Sequence, residues 1–209
     1  MKFIIRLLSA LIITFSYIEL AYSKTTKIII FGDSLIAGYG LVVEDNFVNQ
    51  LKLKIIENKI NNVILFNSGV SGETSTGLLN RYKWVLEDNY DGVIILIGAN
   101  DALRGIDPRL TNQNIEKILS YLKEKQIPTM LIGMKAPNNL GEIYVNEFNT
   151  IYPKLSKKYK TAYYPFFLKD VALKPSLNQR DMIHPNKKGV KIIVNNFFPY
   201  FLEFYESLK

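Results

Sequence analysis

The chain has 209 residues, 48% hydrophobic and 22% charged, which suits one folded domain with a full core and excludes a disordered chain. It has no cysteine, so disulfides, thiolate metal sites and cysteine nucleophiles are excluded together. The net charge of +7 comes largely from basic residues late in the chain, from Lys154 to Lys191, and no nucleic-acid motif accompanies them. They read first as a solvated surface, with attraction to anionic lipid or a phosphate-bearing substrate left open.

The first segment reads as a signal, not as part of the fold. Lys2 and Arg6 make a basic start, residues 7–17 are mostly apolar, and Ala21-Tyr22-Ser23 sets small residues at the outer positions of a cleavage site. This predicts a secretory signal peptide over residues 1–23 and a single domain over 24–209. The alternative is a retained membrane anchor, but the apolar stretch falls short of the roughly 20 residues a span needs, and Glu19 follows closely. The expectation is therefore an exported protein with no stable membrane span.

Beyond residue 24, strand-like and helix-like patterns alternate. Apolar, β-branched runs at 27–31, 63–66, 93–97, 129–132 and, more weakly, 161–164 predict five strands. Such runs without polar alternation suit strands buried on both faces of a parallel sheet. Between them Leu78, Leu79, Tyr82, Val85 and Leu86 share one helical face, as do Ile115, Ile118, Leu119 and Leu122, a helix that Asp107 and Pro108 would start. Phe148, Ile151, Tyr152 and Leu155 form a further stripe, which Pro153 is expected to kink. Val190, Ile193, Val194 and Phe197 form the last, with Asn186 as its cap. Alternating strands and helices imply right-handed crossovers onto a parallel sheet with helices on both faces, an α/β fold whose ligands sit beyond the carboxyl ends of the strands.

Polar residues suited to chemistry fall at those ends. Gly32-Asp33-Ser34-Leu35 follows the first strand, Ser71-Gly72 the second and Asn100 the third. Taken alone, the first is as readily an Asp-Ser turn or helix cap as a nucleophile site, and Gly72 and Asn100 are ordinary turn residues. The chain has one histidine, His184, three residues after Asp181. A serine hydroxyl needs a base and the base needs an orienting partner, so a serine hydrolase made from this chain must use His184, with Asp181 within reach to fix its tautomer. The Gly72 N–H and the Asn100 amide are candidate donors to a developing oxyanion. A second arrangement stays open, in which Asp33, Asp101, Asp181 and His184 hold Mg or Mn for a phosphoesterase. A third is a lipid-binding protein without catalysis. Gly38-Tyr39-Gly40 does not make a dinucleotide motif, because position 43 is Val43.

Taken in order, Gly32-Asp33-Ser34-Leu35, Ser71-Gly72-Glu73-Thr74, Gly98-Ala99-Asn100-Asp101 and Asp181-Met182-Ile183-His184-Pro185 resemble the four blocks of the GDSL or SGNH hydrolases. The residues around 99–105, 151–155 and 173–175 look most like the small periplasmic bacterial esterases with thioesterase, lysophospholipase and arylesterase activities. The resemblance implies a three-layer α/β/α sandwich with a mostly parallel, five-stranded, flavodoxin-like sheet. It implies Ser34 as nucleophile, His184 as acid/base, Asp181 as its partner, and Ser34, Gly72 and Asn100 as oxyanion donors. It further implies no cofactor, a small acyl-ester substrate (a lysophospholipid, acyl thioester or aryl ester), a carbohydrate O-acetyl ester as the alternative within the same fold, and a monomer acting in the periplasm or outside the cell. Ala99 departs from relatives that carry a second glycine there. Leu103 and Ile106 are expected beside an acyl groove.

Overall fold

In a computed structural model that describes residues 24–209, five parallel strands form one sheet in the order β2-β1-β3-β4-β5. They are β1 (Thr26–Gly32), β2 (Val63–Gly69), β3 (Gly92–Leu96), β4 (Thr129–Ile132) and β5 (Ala162–Tyr164). The order reverses between β1 and β3, which is the flavodoxin-like arrangement and puts a ligand crevice at that switch point. The signal segment over residues 1–23 lies outside the described residues.

Seven α-helices cover the sheet among the described residues: α1 (Ser34–Ala37), α2 (Phe47–Glu57), α3 (Ser75–Val85), α4 (Ala99–Leu103), α5 (Pro108–Glu124), α6 (Glu142–Tyr159) and α7 (Lys187–Glu206). Helices α2 and α7 pack together on one face, and α3, α5 and α6 follow one another on the other, completing three layers. The expected caps are present. Asp107 accepts from the Arg109 N–H with Pro108 in the first turn of α5, and Asn186 accepts from the Lys188 and Gly189 N–H groups at the start of α7. Helix α6 carries Pro153 inside it without a break. Of the adjacent phenylalanines Phe166-Phe167 and Phe197-Phe198, Phe167 and Phe197 are fully buried, Phe198 nearly so and Phe166 half-buried.

One strand departs from the expected burial. β1, β3 and β4 are apolar on both faces because neighbouring strands and two helical layers enclose them. β2 is one of the sheet's two edge strands, β5 being the other, and runs to Gly69, three residues beyond the apolar run. Only its Leu65 is fully buried, while Ile64 and Phe66 are 46% and 37% exposed. An edge strand has a neighbour on one side only, so an apolar run there does not guarantee burial on both faces.

Candidate active site

Strand β1 delivers Ser34 through a turn that tolerates no side chain at its start. A Cβ on Gly32 would lie 2.3 Å from Ile36 Cγ1 and 2.9 Å from the Leu96 carbonyl oxygen. Asp33 then caps the four-residue helix α1, its Oδ1 accepting from the Leu35 N–H at 2.9 Å. Ser34 is the first residue of that helix, so its N–H has no intrahelical acceptor. Among the described residues, neither this N–H nor that of Gly72 finds a backbone acceptor.

The two remote blocks meet in space. His184 Nε2 lies 2.8 Å from Ser34 Oγ, although 150 positions separate them in sequence. His184 Nδ1 lies 2.7 Å from Asp181 Oδ2, while Asp181 Oδ1 accepts from the Ile183 and His184 N–H groups at 2.9 and 3.0 Å. Partial burial works to raise the Asp181 carboxyl pKa, but the His184 N–H, the His184 ring and the Ile183 N–H outweigh it and bring the value to about 2. The carboxylate is therefore ionised throughout the neutral range. It accepts a hydrogen bond from the Nδ1–H, which fixes the tautomer and leaves Nε2 as acceptor for the Ser34 hydroxyl.

The loop bearing His184 is braced by groups that the sequence alone did not single out. Gln179 donates from Nε2 to the Tyr39 and Pro185 carbonyls, and its N–H donates to the His184 carbonyl at 2.7 Å. The Tyr39 ring lies 4.7 Å from the imidazole, tilted by 40°. The nearest sequence signal was the Gly38-Tyr39-Gly40 turn, whose glycines have positive φ, but nothing local tied it to His184.

The expected oxyanion donors stand at the ends of adjacent strands on the same sheet edge. β1 pairs with β2 at Gly32–Gly69 and with β3 at Gly32–Leu96, and the Val70 N–H donates to the Gly32 carbonyl. Gly72 has φ +79°, a conformation that side chains other than glycine's rarely adopt, and its carbonyl accepts from Arg104 Nη2 at 2.8 Å. Asn100 donates from Nδ2 to the Glu73 carbonyl at 3.0 Å, which leaves its second amide hydrogen free for another acceptor. The Glu73 side chain is almost fully buried and forms a two-pronged ion pair with Arg81, at 2.6 and 2.7 Å.

The remaining acidic candidates are engaged in structural contacts. Asp101 accepts from the Ser75 N–H and hydroxyl and from the Thr111 hydroxyl. Asp33 is fully buried and its Oδ2 has no partner; burial, partly offset by the Leu35 N–H and the nearby His184, raises its pKa to about 6. Among the described residues no three His, Asp or Glu side chains gather as a metal-binding group, so the second arrangement loses its ligand set. No helix among them is long and apolar enough to cross a membrane. Leu103 is exposed and Ile106 half-buried beside Asn100. A cavity of about 530 Å³ opens between Gly105, Asp107, Pro108 and Arg109 on one side and residues 140–147 on the other, and none of Leu103, Ile106 and Ser34 lines it.

Comparison with known proteins agrees with this geometry. The model of the GDSL-like lipase/acylhydrolase family matches residues 30–192. The chain is 33% identical over 186 residues to an arylesterase of Vibrio mimicus, covering 88% of this chain and 92% of that protein. It is 35% identical over 169 residues to the thioesterase 1/protease 1/lysophospholipase L1 of Escherichia coli (strain K12), covering 80% and 79%. Among solved structures, the psychrotrophic esterase EstA from Pseudoalteromonas sp., solved in a form inhibited by monoethylphosphonate, superposes with a TM-score of 0.81 at 31% identity, covering 87% of this chain and 99% of that one.

Proposed function

This chain belongs to the GDSL-like lipase/acylhydrolase family and is a serine ester hydrolase, and we propose that it cleaves carboxylic esters or thioesters of small acyl substrates, lysophospholipids among them, through an acyl-enzyme on Ser34. The observation that supports this reading is the 2.8 Å approach of His184 Nε2 to Ser34 Oγ with Asp181 bonded behind the ring.

In this reading Ser34 Oγ attacks the acyl carbonyl while His184 Nε2 takes its proton. The C–O bond formed places negative charge on the carbonyl oxygen, which the Ser34 N–H, the Gly72 N–H and the free Asn100 amide hydrogen stabilise. His184 returns its proton to the departing alcohol or thiol as the tetrahedral intermediate collapses. Water then attacks the acyl-enzyme by the same route, with His184 again as base and then as acid to Ser34. Asp181 holds the tautomer and stabilises the imidazolium. Leu103 and Ile106 would meet the acyl chain. The protein would act as a monomer after export and removal of residues 1–23.

The test is direct. Ser34→Ala and His184→Ala should each abolish hydrolysis of p-nitrophenyl butyrate while circular dichroism stays that of the parent, and EDTA should leave the parent's rate unchanged. Retained turnover in either variant overturns the assignment. A series of acyl-chain lengths on ester, thioester and lysophospholipid substrates then fixes the preferred class.

A further inference from the structure

We propose that the Glu73–Arg81 ion pair is a positioning device for the oxyanion donors, setting the Gly72 N–H and the Asn100 amide without touching substrate. The proposal rests on the reading of Gly72 and Asn100 as those donors.

Arg81 projects from helix α3 and makes four hydrogen bonds to two residues. Nε and Nη2 donate to the two Glu73 carboxylate oxygens, Nη1 to Ser68 Oγ at 2.7 Å, and Nη2 also to the Ser68 carbonyl at 2.7 Å. Ser68 is near the end of β2 and Glu73 lies just past Gly72, so one guanidinium grips both sides of the turn that carries the Gly72 N–H. The turn is closed further by the Glu73 N–H donating to the Val70 carbonyl. The guanidinium is itself held against the Phe31 ring, 5.3 Å from its centre. Glu73 also serves the other donor: its carbonyl accepts one hydrogen of the Asn100 amide and so fixes where the second points.

Stability alone does not account for this arrangement. The Glu73 side chain is 5% exposed and that of Arg81 19%. Charges withdrawn from water lose solvation that their attraction barely returns, and a well-packed apolar pair of similar volume is often as stable. What an apolar pair lacks is direction. A planar fork on a carboxylate fixes distance and angle together, and oxyanion donors act only within about 2.7–3.1 Å of the developing charge. The fold makes room for the fork: a Cβ on Gly77 would come within 2.9 Å of Glu73 Cγ.

Arg81→Met alone leaves the Glu73 carboxylate buried without a partner and is expected to fold poorly. The informative variant replaces both residues with apolar side chains of similar volume, Glu73→Met with Arg81→Met. It should fold with a Tm near the parent's, yet lose about 10- to 100-fold in kcat at a KM within about twofold, as expected when donors shift by a fraction of an ångström. Affinity for phenylboronic acid should fall by the same factor, since the boron accepts Ser34 Oγ, His184 takes the hydroxyl proton, and the tetrahedral adduct places an oxygen against the donors. Asn100→Ala added to this variant should cost much less than in the parent, because the amide is already misaligned. Arg81→Lys, which keeps the charge but not the fork, should fold and lose about 5- to 10-fold in kcat; it decides the matter if the double variant does not fold. A folded double variant with kcat and boronate affinity within about threefold of the parent would overturn the proposal, as would a loss confined to KM. If Asn100→Ala alone leaves kcat unchanged, the oxyanion reading itself fails and this proposal with it. If Asn100→Ala lowers kcat and the folded double variant does not, only the clamp fails.

Discussion

Asp33→Asn tests whether the buried carboxyl beside the nucleophile holds an unfavourable charge at neutral pH. Asp33 is fully buried, Oδ1 is used in capping α1, and Oδ2 has no partner. Its pKa rises from 3.8 to about 6, chiefly by burial. A carboxyl whose folded-state pKa lies above its unfolded value is destabilising when ionised, so the penalty is complete above about pH 6 and disappears below about pH 4. A shift of about two units corresponds to about 3 kcal/mol, with a slope of about 1.4 kcal/mol per pH unit between those limits. Asn keeps the Oδ1 acceptor for Leu35 but buries two amide hydrogens, a cost of about 1–3 kcal/mol that does not vary with pH. The decisive quantity is therefore the difference between variant and parent as pH changes. Urea denaturation at half-unit steps from pH 4 to 8 should show the Asn variant gaining about 3 kcal/mol relative to the parent across that range. A difference that stays flat from pH 4 to 8 would refute the reasoning.

Three further outcomes follow from the same contacts. Asp181→Asn should lower kcat by about 10³–10⁴, because the amide offers His184 Nδ1 a donor instead of an acceptor and favours the wrong tautomer, and it should also lose the stability that the ionised carboxylate contributes at neutral pH; steady-state kinetics beside a urea curve would show both. Gln179→Ala should lower kcat by about tenfold, since it releases the tie between the Tyr39 and Pro185 carbonyls and lets the His184 loop drift from Ser34; an unchanged kcat would remove Gln179 from the account. Tyr152→Phe should destabilise the fold by about 1–2 kcal/mol in urea, as the fully buried hydroxyl donates to the Ile97 carbonyl at 2.8 Å and nothing else replaces it.

The sequence showed the parts of the molecule whose chemistry is local or whose burial is complete. β1, β3 and β4 were legible because their apolar runs lie between two covered faces, where burial matches the pattern. Asp107 and Asn186 were legible because a cap needs only residues within the same turn. The approach of Ser34, His184 and Asp181 was legible because the serine lies in a short block at a strand end and the chain has one histidine, while Gly72 and Asn100 were legible as strand-end residues. What escaped depends on distance along the chain or on edges. The exposure of Ile64 and Phe66 follows from the position of β2 in the sheet, which its own residues do not encode. Gln179 reaches a carbonyl 140 positions away. Arg81 lies eight residues from Glu73, two turns away along a helix, and they meet only because Glu73 lies before the cap of α3 with its side chain laid over the first turn.

Rapid acid quenching tests most directly whether Ser34 carries the acyl group with His184 as its base. Parent protein mixed with excess p-nitrophenyl butyrate and quenched within milliseconds should yield, by peptide mass, one butyryl group on the peptide containing Ser34. The same peptide should stay unmodified in Ser34→Ala and acylate about 10³-fold more slowly in His184→Ala. Acyl transfer at the parental rate in either variant, or an acyl group found on another residue, would contradict that assignment.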